Sequence, residues 1–347
     1  RDATGRVPGD DEEPSKLVTS VQKDTAKTVI ARNDSPDVGF DRSINPYRGC
    51  EHGCIYCYAR PSHAYLGHSP GIDFETKIYG KLDARERLKA ELAAPGYKPE
   101  PIAISGVTDP YQPVERQLKI TRGILEVLLK HRHPFTLISK NALMARDVDL
   151  IGEAAKLGLV SAALSITTLK PDLARKMEPR ASTPANRLKA MKTLADAGVP
   201  MTVMTAPIIP GLNDPEMEAI LEAAREAGAQ SAGFVLLRLP LEIKDLFTEW
   251  LIEHVHDRAK HVLTLMRETR DGKLYNSAFF SRQRGTGPYA ELIQQRFQLA
   301  VKKLGLNRGR SPLRRDLFQA PVIPRGDPRH TGAQEWNSDR FRPRSDI

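Results

Sequence analysis

The sequence is poor in cysteine and has no long apolar run. Its 347 residues include only three cysteines, Cys50, Cys54 and Cys57, and this excludes a framework of disulfides. No apolar run reaches the roughly 18 residues that a membrane-spanning helix needs, and residues 1–10 lack the apolar segment of a secretory signal. We therefore expect a cytoplasmic protein without a membrane segment, whose clustered cysteines hold a metal or a cluster.

The composition is otherwise that of a globular protein with an excess of positive charge. Hydrophobic residues make up 40% of the chain, which excludes a wholly disordered protein. The formal net charge is +9, and residues 302–347 hold 11 Lys and Arg against 5 Asp and Glu. Such a surplus favours an anionic partner, which makes nucleic acid a candidate substrate without proving it.

Short apolar runs alternate with longer amphipathic stretches. The expected strands are a short piece at 43–45 and apolar runs at 102–107, 135–139, 160–167, 201–209 and 233–239. The stretches between them have helical periodicity, and one of them opens with Thr183-Pro184, a favourable helix start. This alternation predicts an α/β fold with parallel strands. Because an eight-unit barrel takes about 250 residues, six units between about residues 43 and 257 fit a partial, open (β/α)6 barrel at least as well as a doubly wound sheet.

Four regions follow from this organisation. They are a polar and flexible N-terminal extension (1–40), the α/β core (41–257), a C-terminal helical segment (258–306) and a basic tail rich in Pro and Arg (307–347). Two interpretations of the tail remain open. It is either an arm that contacts an anionic partner, or a segment that docks Leu313, Leu317 and Phe318 on the barrel.

The three cysteines have the spacing C-x3-C-x2-C within residues 48–60. Three thiolates on one short loop can hold three irons of a [4Fe–4S] cluster and leave the fourth iron open to an exogenous molecule. One alternative is a zinc site completed by His52, His63 or His68, and another is three structural cysteines. A cluster with four cysteine ligands from this chain is excluded, because the sequence has no fourth cysteine.

Tyr56 stands directly before the last cysteine, at the end of the first expected strand. The resulting pattern, C-x3-C-x-aromatic-C, resembles the signature of the radical S-adenosylmethionine (SAM) superfamily. Residues 45–60 and 73–77 are similar to the spore-photolyase-like branch of that superfamily, and the resemblance extends over about residues 42–240. It implies a [4Fe–4S] cluster that binds SAM and an external low-potential electron donor, similar to flavodoxin or ferredoxin. SAM would then be cleaved to a 5′-deoxyadenosyl radical that abstracts hydrogen from the substrate.

Polar side chains at the carboxyl ends of the expected strands are the candidates for SAM binding, because parallel α/β folds bind ligands there. By resemblance, Ser105, Thr108 and Asp109 match the site of the SAM amino group. Lys140 is the counterpart of a residue that pairs with the SAM carboxylate, and Ser165 of one that bonds its ribose or methionine part. The alternatives are a polar turn, a solvated lysine and a hydroxyl bonded to the backbone.

Further residues complete the predicted cofactor site around Tyr56. Ile208 lies in the turn that the family packs against adenine, and Arg238 interrupts an apolar run and should point into the cavity to close the adenine pocket. Arg180 can bind a carboxylate or a phosphate through its planar guanidinium. Alternatively, Arg180 pairs with Glu178 on a loop.

The sequence departs from the spore-photolyase pattern in one respect. Repair of that type uses a cysteine outside the cluster as hydrogen-atom donor, and this chain has none. Tyr111 lies near the expected place of that cysteine and is the candidate catalytic relay, so thymine-lesion repair by the same route is in doubt. Three hypotheses remain: a radical SAM enzyme acting on nucleic acid, one acting on a small molecule or a protein side chain, and a cluster-containing redox sensor without SAM turnover.

Overall fold

Ten strands occur in the computed structural model, which describes residues 17–309 and 311–322. They are β1 (Ser20–Lys23), β2 (Ile30–Arg32), β3 (Arg42–Ile44), β4 (Tyr47–Arg48), β5 (Lys77–Gly80), β6 (Ile102–Ile104), β7 (Phe135–Ser139), β8 (Val160–Ser165), β9 (Met201–Ile208) and β10 (Ser231–Leu236).

The helices of the same residues lie between and after these strands. They are α1 (Ile72–Thr76), α2 (Ala84–Leu92), α3 (Glu115–Leu118), α4 (Ile120–Lys130), α5 (Val148–Lys156), α6 (Pro171–Met177), α7 (Pro184–Asp196), α8 (Met217–Glu226), α9 (Ile243–His254), α10 (His256–Glu268), α11 (Ser281–Arg284) and α12 (Gly287–Lys303). Short 3-10 helices occupy Arg60–Leu66, Ala142–Asp147 and Asp214–Glu216.

The main sheet has seven strands in the order β10-β9-β8-β7-β6-β3-β2. Six of these strands are parallel to one another, namely β3, β6, β7, β8, β9 and β10. Strand β2 is antiparallel to β3 at the edge. Their spatial order follows the chain without the reversal of a doubly wound sheet. Within the described residues β10 does not pair with β2, so the sheet stays open. The predicted partial, open (β/α)6 barrel is therefore confirmed.

Helix α4 shows why the connecting segments form helices that cover this sheet. Its apolar residues recur at helical spacing, and Ile120, Ile124, Leu125 and Leu128 are all buried. Helix α7 begins as the sequence predicts, because the Thr183 hydroxyl accepts a hydrogen bond from the backbone N–H three residues on, and proline takes the first helical position.

The prediction of a flexible extension over 1–40 is wrong for residues 17–40. Strand β1 pairs with β5, and β2 pairs with β3. The Glu91 carboxylate accepts hydrogen bonds from the backbone N–H groups of Val29, at 2.6 Å, and Ile30, at 3.0 Å, and the Val29 side chain is buried. Polar composition hid these short edge strands, which rely on pairing rather than on an apolar face. Residues 1–16 lie outside the described residues.

The start of the predicted basic tail docks on the barrel. The Phe318 ring lies 5.4 Å from the His133 ring and 5.7 Å from the Tyr97 ring. The backbone N–H of Gln319 donates to the His131 carbonyl at 2.9 Å, and Leu317 packs against the core. Leu317 and Phe318 thus dock on the barrel, whereas residue 310 and residues 323–347 lie outside the described residues. None of the helices in the described ranges has the length and apolar character that crossing a membrane requires.

Candidate functional site

The three cysteines lie on the loop between β4 and the 3-10 helix Arg60–Leu66, and all three line one cavity of about 730 Å³. Two glycines let this loop turn sharply. Gly49 and Gly53 have φ of 76° and 68°, in the left-handed region that favours glycine. A Cβ at Gly53 would lie 2.6 Å from Oε2 of Glu75. The glycines therefore bring the loop close to the segment that follows it.

Arg60 fixes the conformation of the cysteine loop from outside the cavity lining. Its guanidinium is buried and donates to the backbone carbonyls of Cys54, at 2.9 Å, and Gly53, at 3.0 Å. It also pairs with the Glu75 carboxylate. The backbone N–H of Cys50 donates to the Phe74 carbonyl at 2.8 Å. The loop is thus positioned by groups that do not occupy the cavity itself.

The protein environment alone disfavours thiolates in this loop. Burial raises the pKa of all three cysteine thiols, and the charges of Asp109 and Glu178 raise it further at Cys50 and Cys54. Iron would reverse this, because a coordinating metal deprotonates its thiol ligands outright. The raised pKa values therefore describe the loop without a metal, and they do not count against the three thiolates as ligands.

Each histidine considered for a zinc site has a protein partner at Nε2, although Nδ1 of His63 is buried without a hydrogen-bond partner in the described residues. Nε2 of His52 contacts the Asn141 amide at 3.1 Å, and Nε2 of His63 contacts the Lys77 carbonyl at 3.0 Å. Nε2 of His68 contacts the Tyr79 hydroxyl. No group of three or more His, Cys, Asp or Glu in the described ranges surrounds a single-ion site.

A cubane makes a different demand from a single ion, because each thiolate binds its own iron. Three cysteines on one cavity wall and no fourth in the sequence match a [4Fe–4S] cluster with one open iron.

Most of the predicted SAM-binding residues line the same cavity as the cysteines. They come from the carboxyl ends of different strands and are Tyr56, Ser105, Thr108, Asp109, Lys140, Ser165 and Arg238. The strand-end argument thus brings together residues that are up to 182 positions apart in the sequence.

Asp109 and Thr108 organise the loops at this end of the barrel. The Asp109 carboxylate accepts hydrogen bonds from the Ser139 hydroxyl and the backbone N–H of Lys140, both at 2.7 Å. The Thr108 hydroxyl donates to the Tyr47 carbonyl at 2.7 Å. Both side chains therefore connect the loop after β6 to its neighbours as well as facing the cavity.

Lys140 and Ser165 differ in how far the protein already uses their polar atoms. Nζ of Lys140 lies 2.9 Å from the Ala206 carbonyl and 3.3 Å from the Glu178 carboxylate. Burial opposes ionisation of Glu178, but Arg187 and Lys140 overcome this and hold the pKa of Glu178 well below its usual range. The Ser165 hydroxyl has no hydrogen-bond partner among the described residues, so it is free to bind a ligand.

Three predicted site residues lie outside the residues that line the cavity. Tyr111 is fully buried, and its hydroxyl donates to Asp147 at 3.0 Å. The backbone N–H of Tyr111 donates to the Asp109 carboxylate at 2.8 Å, a turn that directs the ring into the core. Arg180 pairs with Glu75 at 3.3 Å, and Ile208 is buried in the core. The structure therefore does not support Tyr111 as a relay to a ligand in the cavity.

Tyr58 and Asn45 line the cavity but were missed by the sequence analysis. Tyr58 is 45% exposed, and its hydroxyl donates to the Gly106 carbonyl at 2.5 Å. The side-chain oxygen of Asn45 accepts from the backbone N–H groups of Gly106, at 2.9 Å, and Val107, at 2.8 Å. Tyr58 directly follows Cys57, so its place beside a ligating cysteine was a signal that could have identified it.

Two segments from opposite ends of the chain meet across the open side of the barrel. Residues 37–40 and residues 282–283 both contribute to the cavity lining. The Arg282 guanidinium donates to the Asp37 carboxylate at 2.7 Å and 2.5 Å, and the backbone N–H of Phe280 donates to it at 3.2 Å. We call this contact the clasp. It joins the segment after β2 to helix α11, and both segments line the cavity.

Fold and site together define a class of protein: an open α/β barrel whose three-cysteine loop carries a cluster at the carboxyl ends of the strands. A family model described as the radical SAM superfamily matches residues 44–224, which is more than half of the chain. The chain belongs to the radical SAM superfamily. Members of this superfamily use a [4Fe–4S] cluster and SAM with an external electron donor, and the cavity lined by the three cysteines is where this chain would hold both cofactors.

The relatives by sequence are uncharacterised proteins. One from Mycobacterium tuberculosis is 36% identical over 214 residues, which are 61% of this chain and 63% of that protein. One from Methanocaldococcus jannaschii is 32% identical over 177 residues, which are 50% of this chain and 62% of that protein. The chain thus spans just under two thirds of the length of these curated relatives.

Among solved structures the chain is similar to spore photoproduct lyase. The enzyme complexed with dinucleoside spore photoproduct has a TM-score of 0.57 and 16% identity, covering 82% of this chain and 80% of that one. A mutant with bound AdoMet and dinucleoside spore photoproduct has a TM-score of 0.53 and 14% identity, with the same coverage. At this identity the likeness shows a shared fold.

Proposed function

We propose that this radical SAM enzyme acts on nucleic acid and removes a hydrogen atom from a nucleotide unit in the cavity. The observation that carries the proposal is the lining shared by Cys57, Tyr58 and Arg238. An exposed aromatic ring can stack on a base, and a guanidinium can bind a phosphate. Both groups therefore stand beside the cysteine loop, where a substrate must come to meet the cofactor.

Two further observations support a nucleic-acid substrate. Spore photoproduct lyase shares the fold over 82% of this chain, and its structure has been solved with a dinucleoside photoproduct. The net charge of +9 attracts a polyanion and raises the rate of encounter with it.

Each part of the cavity has a separate task in this proposal. Cys50, Cys54 and Cys57 hold the cluster, and the Ser165 hydroxyl and the Lys140 ammonium orient SAM. When bound, the cluster and SAM supply a carbon-centred radical that removes hydrogen from the substrate. The clasp limits the access of water and keeps the substrate close to the cysteine loop.

The outcome of the reaction differs from repair that depends on a cysteine donor. All three cysteines of the chain lie on the cluster loop, so none is left to return a hydrogen atom to the substrate. Tyr111 does not take this role from its buried position. We therefore infer a reaction on nucleic acid other than thymine-lesion repair through a protein cysteine.

The test uses protein reconstituted anaerobically with iron and sulfide, then reduced with dithionite in the presence of SAM. We expect 5′-deoxyadenosine to form faster with DNA, damaged or undamaged, than without it. Deuterium placed in the DNA should appear in the 5′-deoxyadenosine. Cys54→Ala is the control and should form none.

Two results would contradict the proposal in different ways. A rate of 5′-deoxyadenosine formation that ignores nucleic acid would favour a small molecule or a protein side chain as substrate. A full cluster with no 5′-deoxyadenosine under any condition would favour a redox sensor without SAM turnover.

A further inference from the structure

Arg238 lies two residues after β10 and lines the cavity without an ionic partner. It makes no ion pair and no side-chain hydrogen bond with any residue of the described ranges. Three other cationic side chains line the cavity, and each is paired with a carboxylate: Arg32 with Asp41, Lys140 with Glu178, and Arg282 with Asp37. The positive charge of Arg238 is therefore the one in this lining that the described protein leaves uncompensated.

A second guanidinium increases the positive charge at the same place. Arg270 is 2% exposed and donates to the backbone carbonyls of Leu236, at 3.3 Å, and Leu237, at 2.8 Å. Burial, and then the nearby charge of Arg238, lower the pKa of Arg270 to about 10. Within the described ranges neither guanidinium has a carboxylate partner. Arg270 is buried and Arg238 is partly exposed, so a second cation beside the buried guanidinium is unfavourable, and a bound anion would relieve this cost.

Tyr58 holds the Arg238 guanidinium in a defined orientation. The Cζ atom of Arg238 lies 4.4 Å from the centre of the Tyr58 ring, which is a cation–π contact. The Tyr58 ring is fixed in turn by the hydrogen bond from its hydroxyl to the Gly106 carbonyl. A guanidinium that stacks on a ring keeps its N–H donors free in its own plane, which suits bidentate binding of a phosphate.

We propose that Arg238, positioned by Tyr58 and assisted by the charge of Arg270, binds a backbone phosphate of the nucleic-acid substrate. This inference rests on the proposed function and adds the chemical group that the substrate presents. It also reassigns Arg238, which the sequence placed at the adenine of SAM, to the substrate. Lys140 and Ser165 remain for SAM.

The experiment measures the binding of a fluorescein-labelled single-stranded oligothymidylate to the anaerobically reconstituted holoprotein with SAM present. In Arg238→Gln we expect affinity about 10- to 100-fold weaker, since a charged bidentate contact is lost. The slope of log affinity against log salt should shrink by about 0.7, the change for one phosphate contact on a single strand. An oligothymidylate with neutral methylphosphonate linkages should bind wild type and variant alike.

Two further variants separate recognition from structure. Arg238→Lys keeps the charge and should keep the salt slope while losing part of the affinity, because the planar fork is gone. Arg116→Gln makes the same change of charge at an exposed residue of α3 outside the cavity lining, and it should bind like wild type. Melting temperatures show whether any loss in Arg238→Gln comes from unfolding.

The proposal is overturned if folded Arg238→Gln binds oligothymidylate with wild-type affinity and salt slope. It is also overturned if this variant loses SAM affinity alone, because Arg238 is then a cofactor residue. If wild type fails to bind oligothymidylate, the proposed function is wrong. The anion site is then tested separately, by measuring pyrophosphate binding to wild type and to Arg238→Gln. Pyrophosphate binding that is lost only in Arg238→Gln supports the site, whereas equal binding or no binding overturns it.

Discussion

Lys140 and Ser165 both line the cavity. Protein groups already bind the Lys140 ammonium, but none of the described residues binds the Ser165 hydroxyl. Nζ of Lys140 lies 2.9 Å from the Ala206 carbonyl and 3.3 Å from the Glu178 carboxylate, whereas the Ser165 hydroxyl has no partner in the described ranges. We therefore expect Lys140→Ala to lower both SAM affinity and stability. Ser165→Ala should lower SAM affinity alone.

The structure sets the size of each effect. A hydrogen bond to a charged group contributes about 1.5–3 kcal/mol, so loss of Lys140 should weaken SAM binding by roughly 10- to 150-fold. Removing one partner of a buried ion pair costs about 3–5 kcal/mol when the other charge is left alone. Glu178 keeps the Arg187 guanidinium and the Thr167 hydroxyl, so we expect a smaller loss of about 1–2 kcal/mol. Ser165→Ala should change the free energy of unfolding by less than about 0.5 kcal/mol.

Equilibrium dialysis with labelled SAM on the reconstituted protein measures the affinities, and denaturant unfolding measures the stabilities. Lys140→Ala that loses stability but binds SAM as tightly as wild type would make Lys140 a purely structural residue. Unchanged SAM affinity in Ser165→Ala as well would refute the assignment of this part of the cavity to SAM.

Three other predictions concern separate parts of the chain. Replacing any one of Cys50, Cys54 and Cys57 with Ala should abolish the reconstituted cluster, measured as bound iron and the cluster's visible absorbance, while far-ultraviolet circular dichroism stays unchanged. Burial lowers the pKa of His133 to about 4 from its usual 6.5. As pH drops, the unfolded state therefore binds a proton before the folded state does, and stability falls between pH 6.5 and about pH 4. The contribution of His133 to this loss should reach about 2 kcal/mol between pH 7 and pH 5. Unfolding curves of His133→Gln should therefore show a loss smaller by about that amount than wild type and the exposed-histidine control His256→Gln, because His52, His63 and His131, whose pKa values burial also lowers, still contribute. Removing residues 325–347 should leave the melting temperature and iron content unchanged and flatten the salt dependence of nucleic-acid binding, whereas an unchanged salt slope would exclude this segment as the electrostatic contact.

Most of the barrel strands were predictable because their residues are largely buried or half-buried and form short, mainly apolar runs. Strand β7 has the predicted bounds, and β8 and β9 begin where predicted. Strands β1 and β2 escaped because they are short, lie at sheet edges and hold their places through backbone pairing. No pattern within residues 17–40 shows that the distant Glu91 carboxylate will accept the backbone N–H groups of Val29 and Ile30 at the start of β2.

The rule that ligands lie at strand ends located the cavity but not the direction of every side chain. It failed at Tyr111 because the Asp109 carboxylate captures the backbone N–H of Tyr111 and turns the chain inward. It also left Lys140 with one predicted task, whereas the fold adds an ion pair to Glu178. The ion pair joins residues that lie 38 positions apart in the sequence, so the positions of the strand ends cannot predict it.

The boundaries of the family match divide the residues that line the cavity into two sets. The cysteines, Lys140 and Ser165 lie within residues 44–224, which the superfamily shares. Arg238 and both halves of the clasp, Asp37 and Arg282, lie outside that range yet line the same cavity. Apart from Arg238, the predicted cluster and SAM ligands all lie in the shared range, so we propose that the flanking segments are the part of the lining that differs with the substrate. The position of Arg238 outside the matched range does not depend on any side-chain contact, and it favours assigning Arg238 to the substrate rather than to SAM.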